Sequence, residues 1–202
     1  MIIKRCFDIF VSLIGLILLL PVMFIAAVMI RLSMGSPIFF IQKRPGYKGK
    51  PFDIIKFRTM RMPDPLKSSV EDDGERLTYL GRILRKTSID ELPEFWNVLK
   101  GDMSIVGPRP LLMEYLPRYS PEQARRHDVK PGITGWAQVN GRNAITWEER
   151  FRLDVWYVDN ISFWLDMKIL WMTFVKVFKQ EGISAEQCAT MPEFKGSISK
   201  ME

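Results

Sequence analysis

The 202-residue sequence contains one histidine, His127, and two cysteines, Cys6 and Cys188. One histidine excludes a zinc site of several imidazoles. A Ser-His-Asp triad would have to use His127, and no nucleophile-elbow sequence accompanies it. The cysteines lie near opposite ends of the chain, without metal-ligand spacing, so neither a disulfide framework nor a thiolate metal site is indicated. A reducing, cytoplasmic setting for the polar part of the chain is compatible with that. No Walker loop and no G-x-G-x-x-G occurs, which removes support for ordinary NTPase and dinucleotide-fold readings. Internal repeats and low-complexity segments are lacking too. Beside Arg125, Arg126 and Asp128, His127 reads either as a surface histidine or as a phosphate contact.

What is present is unevenly distributed. Hydrophobic residues make up 47% of the chain and charged residues 26%, which is globular on average. Yet from Ile9 to Ile30 only Ser12, Gly15 and Pro21 interrupt an apolar run. A helix needs about 20 such residues to span a bilayer. The run exceeds a typical signal-peptide core and no small-x-small cleavage site follows, so it is expected to be retained. Pro21 removes a backbone hydrogen bond near its middle and predicts a kink. Lys4 and Arg5 flank one end, and Arg31, Lys43 and Arg44 follow the other. Positive residues prefer the cytoplasmic side, so a hairpin-like helix entering and leaving by one face satisfies both ends; a single-pass anchor is the alternative. Asp8 is expected to pair with Lys4 or Arg5 at the interface.

The remainder is polar and basic; the whole chain carries a formal +6. Residues 38–41 and 52–57 are β-prone runs around the glycine-rich turn 46–50 and predict a hairpin. Residues 63–74 read as a loop, and Leu77, Leu80, Ile83 and Leu84 recur at helical spacing. A second helix is predicted from about Glu91 to Lys100, stopped by Gly101. Gly107-Pro108-Arg109-Pro110 and Pro131-Gly132-Ile133-Thr134-Gly135 are rigid turns that either offer N–H groups to a ligand or are structural. Trp147–Tyr157 and Leu165–Gln180 look helical. The latter carries a thin polar stripe (Asp166, Thr173, Lys176, Gln180) among Trp164, Trp171, Phe174 and Phe178. It reads as a helix in a headgroup layer or as a buried helix.

The chemistry-bearing candidates centre on Asp90-Glu91. Asp90 is a suitable helix N-cap with Pro93 in the first turn, and Ser88–Glu91 is an alternative capping box. The functional alternative divides labour between the two acids, one as nucleophile and one as magnesium ligand. Lys56, Arg58, Arg85, Lys86 and Arg109 supply positive charge for a diphosphate if the fold gathers them.

Five segments then occur in one order: Lys56-Phe57-Arg58-Thr59-Met60, Thr87–Pro93, Asn97–Ser104, Val106–Pro110 and Pro131–Gly135. Together they closely resemble the bacterial sugar transferase family, the monotopic phosphoglycosyl transferases, over essentially the whole chain. The resemblance implies that Asp90 attacks the β-phosphate of a UDP-sugar, releases UMP and holds a covalent sugar phosphate, while Glu91 helps hold Mg2+. It places Arg109 in the phosphate-binding part of the site, and it implies a re-entrant N-terminal helix. Polyprenyl (undecaprenyl) phosphate then takes the sugar phosphate, at the cytoplasmic face of the bacterial inner membrane. Many members carry Ser-Pro at the helix break, whereas this chain has Leu20-Pro21, losing a hydroxyl for the freed backbone groups. The chain is similar to minimal members that use N-acetylated or bacillosamine-type sugars, a likeness carried by Asn140-Gly141-Arg142-Asn143 and the tail from Ser184 to Gly196. Gln138, Asn140 and Arg142 are the nucleotide-sugar candidates.

The expected fold class is α-rich α+β. Residues 1–35 would form the re-entrant membrane helix; residues 36–202 would form a compact helical catalytic domain with a small β-hairpin and interfacial amphipathic helices. A non-catalytic, membrane-anchored adaptor for anionic lipids is the competing class. A nucleic-acid binder rests on net charge alone.

Overall fold

The computed structural model describes residues 2–62, 73–141, 145–179 and 193–196. Most of the expected loop at 63–74, Arg142, Asn143 and most of the tail from Ser184 lie outside the described residues.

The first element, α1 (Ile2–Met34), is one helix of 33 residues that includes Pro21. It begins well before the apolar run because the domain satisfies its polar residues. Asp8, 3% exposed, accepts from the Ile105 amide (3.0 Å) and the Ser104 hydroxyl (3.1 Å), not from Lys4 or Arg5 as expected. The Lys4 ammonium reaches Asp166 at 2.5 Å and the Val106 carbonyl at 3.0 Å. Arg5 donates to the Val98 and Leu99 carbonyls at 2.6 and 2.8 Å. Residues 8, 12, 26 and 30 are buried on one helical stripe, while Phe10, Ile17, Leu18, Leu20, Phe24 and Ile25 are exposed. α1 is long and apolar enough to cross a membrane, with mean hydropathy 3.0 in its most apolar stretch.

A hairpin follows: β1 (Phe39–Pro45) pairs antiparallel with β2 (Pro51–Phe57), from Phe39 opposite Phe57 to Pro45 opposite Pro51. The strand expected over 38–41 thus runs on to Pro45. From the end of β2, Arg58 turns back and donates to the carbonyls of Met34 (2.7 Å), Gly35 (2.8 Å) and Ser36 (3.0 Å). Orphan carbonyls at a helix C-terminus attract a cation, and a guanidinium fork serves several at once.

After the short α2 (Asp73–Arg76) comes α3 (Tyr79–Lys86), capped by the Thr78 hydroxyl, and then α4 (Glu94–Lys100). Gly101, at φ 95°, ends α4 as the sequence predicts. Strands β3 (Ser104–Val106) and β4 (Gly132–Thr134) pair in parallel. The two glycine-proline segments therefore face each other: Gly107 N donates to Thr134 O, and Gly132 N to Pro108 O. A Cβ on Gly132 would lie 2.1 Å from Gly107 N. Close backbone approach requires glycine there, so these N–H groups serve the fold.

Short α5 (Pro121–Ala124) and α6 (Trp136–Asn140) lead to α7 (Trp147–Asp159) and α8 (Phe163–Lys179). The main core joins Phe52, Ile54, Val98, Met103, Val106, Tyr157 and Ile169; a smaller one puts Ala26 and Ile30 of α1 on Phe57 and Leu84. Along α8 the start of the polar stripe points inward, and Gln180 lies outside the described residues. Asp166 is 1% exposed and Thr173 hydrogen-bonds Thr134 at 2.7 Å, whereas Trp164 and Trp171 are 81% and 67% exposed. His127 is no surface residue: it is buried beside Tyr119, and burial lowers its pKa to about 4, leaving a neutral ring.

Arg58→Met removes the fork while leaving its three carbonyl partners without a donor. Unfolding in detergent is expected to show a loss of about 2–4 kcal/mol.

Candidate active site

The site forms where β2 ends and the chain turns from α3 into α4. Ser88 takes a left-handed conformation (φ 56°), and Ile89–Glu91 form one 3-10 turn. Leu92 (φ −56°) and Pro93 (φ −62°) carry a helical path on into α4. An N-cap needs extended backbone and a side-chain acceptor. Asp90 lies inside the turn, and neither Ser88 nor Pro93 makes a side-chain cap. Both capping readings are therefore replaced.

The two acids meet opposite surroundings. Glu91 Oε1 accepts from Lys56 at 2.8 Å and pairs closely with Arg109. Burial alone would raise its pKa, but Arg109 and Lys56 outweigh burial and hold the carboxyl well below the usual range. Asp90 is 9% exposed, and no hydrogen bond or ion pair engages its carboxylate among the described residues. Burial, then the Glu91 charge, push it up to about 6 against the pull of Lys56, Arg109 and Arg85. One acid is thus a fixed anion and its neighbour a buried carboxyl without a partner, a division typical of reactive sites.

The other candidates divide. Lys56 and Arg109 join the acid pair directly. Arg85 contributes charge to Asp90 while its Nε donates to the Thr59 hydroxyl at 3.0 Å. Arg58 does not join them; its fork is committed to the end of α1. Gln138 lines a cleft of about 180 Å3 with Glu91, Leu92, Phe95, Ile133 and Lys176. Its Nε2 donates to Ile133 O at 3.0 Å, leaving Oε1 as a buried acceptor without a partner. Asn140 is exposed and, among the described residues, its side chain donates to Trp136 O, one turn back. Arg142 lies outside the described residues.

Sequence reasoning missed Glu94. It is 2% exposed, its Oε1 lies 2.8 Å from Lys56, and burial pushes its pKa up to about 7 against the Lys56 charge. The available signal was its helical spacing, one turn beyond Asp90. Arg126 was also missed as a support. Buried with Asp154 (2.7 Å), it donates to the Arg109 carbonyl at 2.8 Å and fixes that turn.

No group of three or more metal-ligating side chains gathers among the described residues. Magnesium needs only one or two carboxylates when substrate phosphates complete its shell. The unpartnered Asp90 carboxylate and Glu91, whose ion pairs engage Oε1, are a donor set that fits such an ion.

Asp90 also carries a stability prediction. Its carboxyl moves from 3.8 to about 6 on folding, so the native state holds the extra proton. That contribution is complete below pH 3.8 and disappears as pH rises past about 6. Asp90→Asn is expected to be the more stable protein at pH 7.5, by up to about 3 kcal/mol, with the difference vanishing towards pH 4 in denaturant titrations.

Residues 1–180 match the family model for bacterial sugar transferases. The chain is 56% identical over 197 residues to the uncharacterized sugar transferase EpsL of Bacillus subtilis (strain 168), covering 98% of each chain. It is 41% identical over 185 residues to the UDP-glucose:undecaprenyl-phosphate glucose-1-phosphate transferase of Escherichia coli (strain K12). A third relative, the UDP-N-acetylgalactosamine-undecaprenyl-phosphate N-acetylgalactosaminephosphotransferase of Aeromonas hydrophila, is 41% identical over 179 residues. These alignments cover 87% and 85% of this chain but only 40% and 42% of the two longer relatives. By motif order and by match over nearly its whole length, the chain belongs to the bacterial sugar transferase family and is a transferase of the phosphoglycosyl type.

Proposed function

We propose that this protein transfers a sugar 1-phosphate from a UDP-sugar to polyprenyl phosphate through a covalent intermediate on Asp90. The observation that carries this reading is the buried Asp90 carboxylate, free of partners among the described residues, beside a Glu91 held ionised by Lys56 and Arg109. An Asp90 oxygen attacks the β-phosphorus, the bond to the bridging oxygen breaks, and UMP leaves with the electron pair. A phosphate oxygen of the polyprenyl acceptor then attacks the same phosphorus and the Asp90 carboxylate departs, so no net proton is required. Splitting the transfer lets a water-soluble donor and a lipid-soluble acceptor use one carboxylate in turn. Glu91 and Asp90 would hold Mg2+, which supplies neutralisation of the diphosphate charge. Arg109 and Lys56 stand ready for phosphate oxygens, Arg85 adds field, and Gln138 offers a fixed acceptor to the donor in the adjoining cleft. Arg58 acts by holding the end of α1. An adaptor for anionic lipids would leave the unpartnered burial of Asp90 without a purpose.

The membrane reading follows from how α1 is held. Lys4, Arg5 and Asp8 tie its start to the domain, and Arg58 ties its end to that same domain. A helix with both ends on one polar body is best accommodated with both on one side of the bilayer. We therefore place α1 as a re-entrant element at the cytoplasmic face of the bacterial inner membrane, with the outward aromatics of α8 in the headgroup layer.

The wild-type protein is expected to release UMP from a UDP-sugar without lipid acceptor and to become labelled by the sugar phosphate. Asp90→Asn should abolish labelling; intact labelling would overturn the nucleophile assignment. A panel led by N-acetylated UDP-sugars identifies the donor. Chelation with EDTA is expected to stop UMP release and added Mg2+ to restore it. Tags on both termini should be accessible from the cytoplasmic side only; a periplasmic N-terminus would reject the re-entrant placement.

A further inference from the structure

Glu94 is the most deeply buried carboxylate of the cluster, at 2% exposed against 9% for Asp90. It belongs to none of the roles assigned above. Its Oε1 lies 2.8 Å from the Lys56 ammonium, the distance at which Lys56 also meets Glu91 Oε1. The two contacts differ in alignment: Lys56 points a well-directed hydrogen bond at Glu91, whereas it meets Glu94 Oε1 at the same distance in a poorer orientation.

An ammonium on a flexible four-carbon stem settles where negative charge is densest. Asp90, Glu91 and Glu94 all interact electrically with Lys56, yet only Glu91 and Glu94 are in contact with it. A carboxylate paired with lysine has an oxygen occupied and its charge partly neutralised, both of which oppose attack on phosphorus. Which acid receives Lys56 therefore decides which acid is left reactive. Glu94 tips the choice towards Glu91, because from α4 it presents a second carboxylate oxygen, 2.8 Å away, to the same ammonium.

We propose that Glu94 is a positioning residue: together with Glu91 it holds the Lys56 ammonium away from Asp90, leaving Asp90 without a cation partner and free to act as nucleophile. This rests on the assignment of Asp90 above.

The test uses the full-length protein in detergent or nanodiscs, with the Glu94→Gln substitution, which keeps side-chain shape and removes the charge. Labelling by the sugar phosphate is expected to slow about tenfold or more, with the donor KM changed far less. In the double variant with Lys56→Met, the Glu94 change should add nothing to the Lys56→Met defect, because Glu94 acts through that lysine. Labelling within about twofold of wild type, or defects that simply multiply, would overturn the proposal. A purely structural role predicts a lowered Tm and KM and kcat failing together, and that outcome counts against it as well. A second readout needs no turnover: competitive acetylation of Lys56, read by mass spectrometry. Glu94→Gln should change Lys56 reactivity several-fold, and an unchanged Lys56 would sink the idea even if no UDP-sugar labels the wild type. Absence of wild-type labelling alone would count against the transfer reading instead.

Discussion

A buried charge is tolerated only when something nearby satisfies it, and most of this fold can be traced to that requirement. Lys4, Arg5 and Asp8 occupy the start of an otherwise strongly apolar helix. Each is satisfied from within the domain: by Asp166 and the Val106 carbonyl, by the last carbonyls of α4, and by the backbone of β3. At the other end Arg58 does the same for the terminal carbonyls of α1. These contacts bring α1, α4, β3 and α8 together, and α4 and β3 are the elements that flank the acid pair and Arg109.

The cluster at the candidate site obeys the same rule with one exception. Glu91 has two cations, Glu94 shares one of them, and Arg126 is matched by Asp154. Among the described residues Asp90 alone of these charges makes no hydrogen bond or ion pair, although Lys56, Arg109 and Arg85 all influence it. The folded state carries that cost, and a bound diphosphate with its cation would give the carboxylate a role that the free protein does not. Under the proposed mechanism, stability and reactivity are set against each other at one side chain.

Much of this was legible in the sequence, for local reasons. Two β-prone runs around Gly46–Lys50 gave the hairpin, period-3.6 patterns gave α3, α7 and α8, and Gly101 marked the end of α4. What was misread depended on contacts across the chain. Asp90 looked like a cap because Pro93 suited a first helical turn, but the backbone was already helical from Ile89. Arg58 sat among phosphate-binding candidates and serves α1 instead, a partner more than twenty residues away. For the glycine-proline segments, open in sequence between a ligand-facing and a structural role, the Gly107 and Gly132 N–H groups are spent between the two segments. Glu94 stands apart from the adjacent Asp-Glu in sequence, whereas helical geometry groups residues one turn apart.

The polar grip on α1 bears on how modular the chain is. Hydrophobic N-terminal segments are commonly treated as removable anchors, cut away to obtain a soluble domain. Here excision of residues 2–34 would strip Asp166 of its lysine and leave the Arg58 fork without the Met34 carbonyl. It would also uncover the α4 carbonyls and the Ile105 amide, while Trp164 and Trp171 stayed exposed on α8. The two ends of the helix are thus built into the polar interior of the domain, while much of its apolar face is left uncovered.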